Sequence, residues 1–126
     1  MSRLEIGIER ILELKVNKED TASALGSGNM DVYATPAMIA GMERCALDLV
    51  QPFLEFGETT VGTLVDVKHK KATPIGMRVN AVARLINIDD KKLTFEVESY
   101  DTNGMIGNGI HKRYIVNEIE FLNNIK

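Results

Sequence analysis

The sequence predicts an α+β fold in which an antiparallel sheet wraps around one long helix. Three observations carry that prediction. Only one long stretch, Thr35 to about Phe53, has clear 3.6-residue periodicity, with Met38, Ile39, Met42, Cys45, Ala46, Leu49, Val50 and Phe53 forming a buried stripe. Four stretches of alternating polarity follow it. The breaks between those stretches are short and carry turn residues, so neighbouring strands run antiparallel.

At 126 residues, with 44% hydrophobic and 26% charged content, the chain is one domain large enough to bury a core without staples. A net charge of −3 argues against general nucleic-acid binding, which leaves a basic footprint. The single cysteine excludes an internal disulfide, and Cys45 lies in the helix stripe as a small buried hydrophobe. No signal peptide and no apolar run near ~20 residues is found, so no membrane partner is expected and the protein is expected to be cytoplasmic. No metal is expected either, since His69 and His111 stand 42 residues apart with no CxxC or HExxH motif to join them.

Residues 5 to 16 alternate through Ile6, Ile8, Leu12, Leu14 and Val16, which favours a strand over a helical reading of Ile8, Ile11 and Leu12. Asn17 to Asn29 is polar and small and reads as a loop that covers or lines a cavity. Thr35 and Pro36 suit the N-cap and first position of the helix, and Gly57 suits its stop. The strands then run Thr60–Lys71, Met77–Ile88, Lys92–Tyr100 and Met105–Glu118. Thr73–Gly76, Asp89–Lys91 and Asn103-Gly104 form the turns between them. In the first of these strands Val61, Thr63, Val65, Val67 and His69 are expected on the core face, with Asp66, Lys68 and Lys70 outside. In the last, Gly107, Gly109, His111 and Arg113 share one face. One helix cannot cover both the faces and the edges of such a sheet, so a homodimer, or a tetramer built from it, is expected.

Glu43 interrupts the helix pattern. At about 100° per residue it lies only ~20° from Val50 and ~40° from Ile39, on the border of the buried stripe. A border carboxylate either reaches solvent or is used, and an inward imidazole at His69 is either a core histidine or its acid–base partner. Thr35 has two readings as well: a capping hydroxyl, or a reactive one beside helix N–H groups that stabilise an oxyanion. Gly62 either lets a ligand approach the backbone or eases packing. The clusters Lys68-His69-Lys70-Lys71 and His111-Lys112-Arg113 are either solvated faces or contacts for the phosphates of an anionic ligand.

Taken together, Thr35-Pro36-x-Met38…Met42-Glu43, Thr60-Val61-Gly62-Thr63…Val67-x-His69, Ala72-Thr73-Pro74-x-Gly76 and Asp101-x-x-Gly104-x-Ile106-Gly107-x-Gly109-x-His111-x-Arg113 resemble the hotdog-fold acyl-coenzyme A thioesterases. The group typified by fluoroacetyl-coenzyme A thioesterase is the nearest in pattern, and the likeness runs over roughly residues 8 to 121. The resemblance implies a central helix wrapped by the sheet, a dimer with active sites at the subunit interface, and hydrolysis of an acyl-coenzyme A substrate with no separate cofactor. It implies Thr35, Glu43 and His69 as the catalytic set, and Gly62, His69 and Arg113 as substrate-binding residues. The loop Asn17–Asp31 contains neither Phe nor Trp, so no aromatic gate for a very small fluorinated acyl group is expected, and the implied substrate is a small or medium acyl thioester. Two other functions fit parts of the pattern: a hydratase of acyl thioesters, which would use an Asp–His pair, and a non-catalytic acyl-coenzyme A binding module.

Overall fold

A computed structural model describes residues 3–126. Its single sheet has the order β1-β3-β4-β5-β2, with every neighbouring pair antiparallel. The strands are β1 (Glu9–Lys15), β2 (Glu58–His69), β3 (Arg78–Asp89), β4 (Lys92–Asp101) and β5 (Gly104–Asn117). The helices are a short α1 (Ala22–Leu25), the long α2 (Thr35–Val50) and a C-terminal α3 (Glu118–Asn124).

α2 lies across the inner face of the sheet. Met38, Gly41, Met42, Cys45, Ala46, Leu49 and Val50 are its buried residues, which is the predicted stripe with Gly41 added and with Ile39 and Phe53 only half-buried. Val79, Ala81, Ala83 and Leu85 meet it from β3, Leu93, Phe95 and Val97 from β4, and Ile106 from β5. Strict alternation along β4 puts Thr94, Glu96 and Glu98 on the other face. On that outer face Arg84 bridges Glu9 and Glu96 across three strands at 2.6 and 2.7 Å. Such exposed pairs add little to stability.

The helix ends one turn earlier than the periodicity suggests. Residues Gln51–Phe53 form a 3-10 turn at Pro52, and the Gln51 side chain holds β2 in place by donating to the Glu58 carbonyl and accepting from Thr59 Oγ1, both at 2.8 Å. The N-terminal end requires a larger correction. Ala34, not Thr35, is the N-cap, so Thr35 is already helical and Pro36 occupies the second position. The Thr35 hydroxyl is therefore not spent on capping.

The segment before α2 is more ordered than its composition implies. Residues Lys18–Asp20 form a 3-10 turn, Thr21 caps α1, and Gly26 ends it in the left-handed region at φ 74°. Backbone bonds from Tyr33 to Thr73 and from Ala34 to Asp20 then tie the entrance of α2 to the body of the domain. Tyr33 is buried, and desolvation, with Asp20 adding to it, pushes its hydroxyl up to about 12. The expected strand at 5–16 narrows to β1, and the last strand gives way at Glu118 to α3, which Asn117 caps.

β2 departs from simple alternation. Gly62 pairs with Arg113, yet Leu64 pairs with the adjacent Lys112, so Thr63 is the extra residue of a β-bulge. The expected face of Val61, Thr63, Val65, Val67 and His69 therefore does not exist as one face. Before the bulge Thr60 and Gly62 point inward; after it Val65, Val67 and His69 do. His69 keeps its predicted direction because its end of the strand lies beyond the shift. β5 carries its own extra residue, Ile106, opposite the Ser99–Tyr100 step of β4, and beyond it Gly107, Gly109, His111 and Arg113 all face in.

Candidate active site

Two polar clusters sit on the inner face, both built between α2 and β2. The first lies at the N-terminal end of α2. Thr35 Oγ1 and His69 Nδ1 are 2.8 Å apart, while His69 Nε2 is buried without a protein partner. Desolvation lowers the His69 pKa, only partly opposed by the Lys71 backbone. A cavity of about 260 Å³ opens at this pair, lined by Val32, Tyr33, Ala34 and Thr35 on one side and by His69 and Lys70 on the other.

The second cluster surrounds Glu43, two helical turns further on. Its Oε2 lies 3.8 Å from Arg113 Nη1, with the Glu43 side chain 40% exposed and that of Arg113 only 8%. Arg113 is held by Thr60, donating from Nε to the hydroxyl at 2.7 Å and from Nη2 to the carbonyl at 2.9 Å. Its Nη1 lies 3.2 Å from His111 Nε2. Burial lowers the Arg113 pKa, and the Glu43 carboxylate opposes the shift. The His111 pKa is also lowered, first by desolvation and then by Arg113, against the Leu64 carbonyl and Glu43.

Gly62 belongs to this second cluster for reasons of space. A Cβ there would stand 2.7 Å from Glu43 Oε2 and 3.5 Å from Arg113 Nη1. The clash is with the tip of a flexible side chain, so it is relieved by moving the carboxylate rather than the backbone. Gly62→Ala is expected to leave the melting temperature within a few degrees while lowering turnover ~10- to 100-fold, the cost of misplacing a reacting group. Thermal melts and initial rates on one preparation check this.

Of the residues singled out by sequence, Thr35 and His69 are therefore in contact, and Glu43, Gly62 and Arg113 are in contact. No hydrogen bond joins the two groups within the protomer. Eight residues separate Thr35 from Glu43, about 12 Å along the helix axis at 1.5 Å per residue. The two basic clusters also differ. Lys68 is exposed, and Lys70 and Lys71 are exposed beside the cavity, but His111 and Arg113 are buried, so the second cluster is not a solvated phosphate-binding face. Thr60 and His111 are the participants that sequence reasoning passed over. The inward face of β5 already contained His111; grouping it with Lys112 as a basic run hid that.

Both histidines lower their pKa on folding, which gives a signed pH effect. As pH falls through ~6.5 the unfolded chain takes up protons that the folded chain resists, so stability is full above that pH and declines below it. The melting temperature is expected to drop between pH 7.5 and 5.5, and to drop less in His69→Gln. An unchanged difference in that variant would remove His69 from the effect.

Comparison with known proteins places the chain in a family. Residues 16–119 match the family model described as FlK, fluoroacetyl-CoA-specific thioesterase. The chain belongs to that family. A fluoroacetyl-CoA thioesterase of Streptantibioticus cattleyicolor is 34% identical over 91 residues, covering 72% of this chain and 66% of that protein, just under two thirds of its length. The solved structure of the fluoroacetyl-CoA thioesterase FlK superposes with a TM-score of 0.93 at 27% identity, covering 98% of this chain and 96% of that one. A Thermus thermophilus protein, TTHA0967, described as a thioesterase superfamily member, superposes with a TM-score of 0.89 at 31% identity, over 99% and 93% of the two chains. The architecture is the hotdog fold, and the named thioesterases of the family are hydrolases of thioesters. Among the described residues no helix is long and apolar enough to cross a membrane, and no group of three His, Cys, Asp or Glu side chains is placed to hold a metal ion.

Proposed function

We propose that the protein hydrolyses a small or medium acyl-coenzyme A thioester to the free acid and coenzyme A, with Thr35, Glu43 and His69 as the catalytic set. The observation that carries this reading is the Thr35–His69 pair at 2.8 Å, set at the mouth of a cavity beneath a helix N-terminus. The carbonyl carbon would be attacked by Glu43, directly or through a water for which it is the base, or by the Thr35 hydroxyl with His69 taking its proton. A neutral His69 suits a group that accepts and returns one proton. The first-turn N–H groups of α2, which have no intrahelical partner, would stabilise the oxyanion. Arg113 would order Glu43 rather than reach the coenzyme, since its guanidinium is already engaged inside. Exposed Lys70 and Lys71, beside the cavity, suit the coenzyme phosphates. Coenzyme A enters only as part of the substrate, and this chemistry asks for no other cofactor.

The separation of the two clusters bears on assembly. A single thioester carbonyl does not reach both Thr35 and Glu43 of one protomer. A homodimer would place Thr35 and His69 of one copy opposite Glu43 of the other. The unpaired edge of β2, with Leu64 and Val65 exposed near the bulge, supports a second copy at this side. Release of free thiol from a panel of acyl-coenzyme A thioesters of increasing acyl length tests the activity, and binding without release would defeat it. Mixed dimers test the assembly. If each site draws on two subunits, Thr35→Ala mixed and refolded with Glu43→Gln recovers roughly a quarter of wild-type activity, because half the dimers are hybrids with one intact site. If each site lies within one subunit, the mixture stays inactive.

A further inference from the structure

We infer that His111 is a positioning residue that sets the orientation of Glu43 through Arg113; the inference rests on the reading of Glu43 as catalytic. His111 is buried on the inner face of β5, two residues before Arg113 on the same face. Its Nδ1 lies 2.8 Å from the Leu64 carbonyl, just past the bulge of β2. A carbonyl has no proton to give, so Nδ1 is the donor. The neutral ring then presents Nε2 as an acceptor, 3.2 Å from Arg113 Nη1.

Packing leaves the ring little freedom. It stacks on Phe95 with centroids 6.0 Å apart and planes at 27°. On another side its Cε1 sits 3.4 Å from where a Gly62 Cβ would be. Arg113 is fixed at three of its nitrogens, two by Thr60 and one by His111, and it is that third nitrogen, Nη1, that faces Glu43 Oε2 at 3.8 Å. Thr60 sets the plane of the guanidinium; only His111 touches the nitrogen that meets the carboxylate.

An aliphatic residue would fill this space without burying an imidazole. What it would not supply is an acceptor at Nη1. Protonation of the ring would turn Nε2 into a donor pointed at an N–H and place a second positive charge beside Arg113. The groups facing the ring are Arg113 from β5, Glu43 from α2, and the Leu64 carbonyl from β2, while Phe95 from β4 brings no charge. The arrangement around Glu43 therefore holds only while His111 is neutral, which burial and Arg113 favour.

Two substitutions separate this role from simple packing. His111→Asn puts an amide where Nδ1 was, keeping the donor to Leu64 but not reaching Arg113. His111→Gln carries a carbonyl oxygen to the place of Nε2 and keeps the acceptor. With the acyl-coenzyme A that the wild type cleaves fastest, His111→Gln is expected to keep kcat within ~3-fold, and His111→Asn to lose ~10-fold or more in kcat with KM little changed. The acid limb of the kcat profile is expected to weaken in His111→Gln, and that variant alone decides the matter if His111→Asn does not fold. Equal activity of the two variants, high or low, with an unaltered acid limb would overturn the inference. A long-range ¹H–¹⁵N spectrum of the wild type gives a readout independent of any substrate: the Nδ1–H tautomer of His111 is expected at pH 7.5, and the Nε2–H tautomer would overturn the inference. Failure of the thioesterase reading looks different, since the wild type then releases no thiol while the tautomer is still as stated.

Discussion

Glu43→Gln is expected to lower kcat by ~10³-fold or more, the scale of losing a positioned base or nucleophile. The fold should survive. Glutamine has the same shape, its side-chain oxygen can still face Arg113 Nη1, and a pair at 3.8 Å with one partner 40% exposed contributes at most about 1 kcal/mol. That corresponds to a melting-temperature change of a few degrees. Thiol release and a thermal melt on the same sample check both halves. Turnover within a few-fold of wild type would remove Glu43 from the chemistry. A collapse of the melt would give it a structural role instead.

The second large effect concerns the fold. Gly109 faces inward on β5 between Val97 of β4 and Val67 of β2. A Cβ there would overlap the Asp66 carbonyl oxygen and stand 2.6 Å from Val67 Cα. Unlike the contact at Gly62, these are backbone atoms of the adjacent strand, and no rotamer relieves them. β2 must move away from β5 at the step before it delivers His69. Gly109→Ala is expected to cost ~3 kcal/mol or more, a large part of the 5–15 kcal/mol that a domain of this size has. Urea denaturation should show a lower midpoint, and expression at 37 °C should shift toward the insoluble fraction. A midpoint equal to that of wild type would mean that the two strands separate more easily than the ladder suggests.

The two alanine variants place equal volumes on neighbouring strands with opposite consequences. At Gly62 the obstacle is a carboxylate tip, so chemistry suffers and the fold does not. At Gly109 the obstacle is main chain, so the fold suffers first. Comparing them on one stability scale and one activity scale separates pocket geometry from sheet integrity.

The helix and the strands were legible because each buries one face, and burial writes a period into the residues. Glu43 was legible for the same reason: its angle on the helix put a charge where the stripe ends, and the structure leaves it half-exposed there. The inward face of β5 followed from alternation that runs unbroken from Gly107 to Arg113. What was not legible has local causes. Thr63 carries no mark of an extra residue, since Val61, Thr63 and Val65 alternate as well as any strand. Thr35-Pro36 fits an N-cap and a first turn equally, and the choice depends on tertiary bonds from Ala34 to Asp20 that no local pattern records. α1 spans only 4 residues, too few to establish a period. Pairings such as Thr35 with His69, or Arg113 with Thr60, join positions 34 and 53 residues apart, and spacing along the chain is silent about them.

The bulge at Thr63 makes β2 a strand with two phases. Its first half offers even-numbered positions to the interior, where Thr60 and Gly62 serve the carboxylate end; its second half offers odd-numbered ones, where His69 serves the hydroxyl end. Deleting Thr63 would leave a uniform strand that still turns Gly62 and His69 inward, six places apart, whereas an unbulged strand that kept Thr63 would rotate one of them to the solvent side. The two halves of the site are thus coupled by the phase that the bulge supplies. Point substitutions can erode one half at a time, whereas a change that flattens the bulge while keeping Thr63 turns one half away from the other.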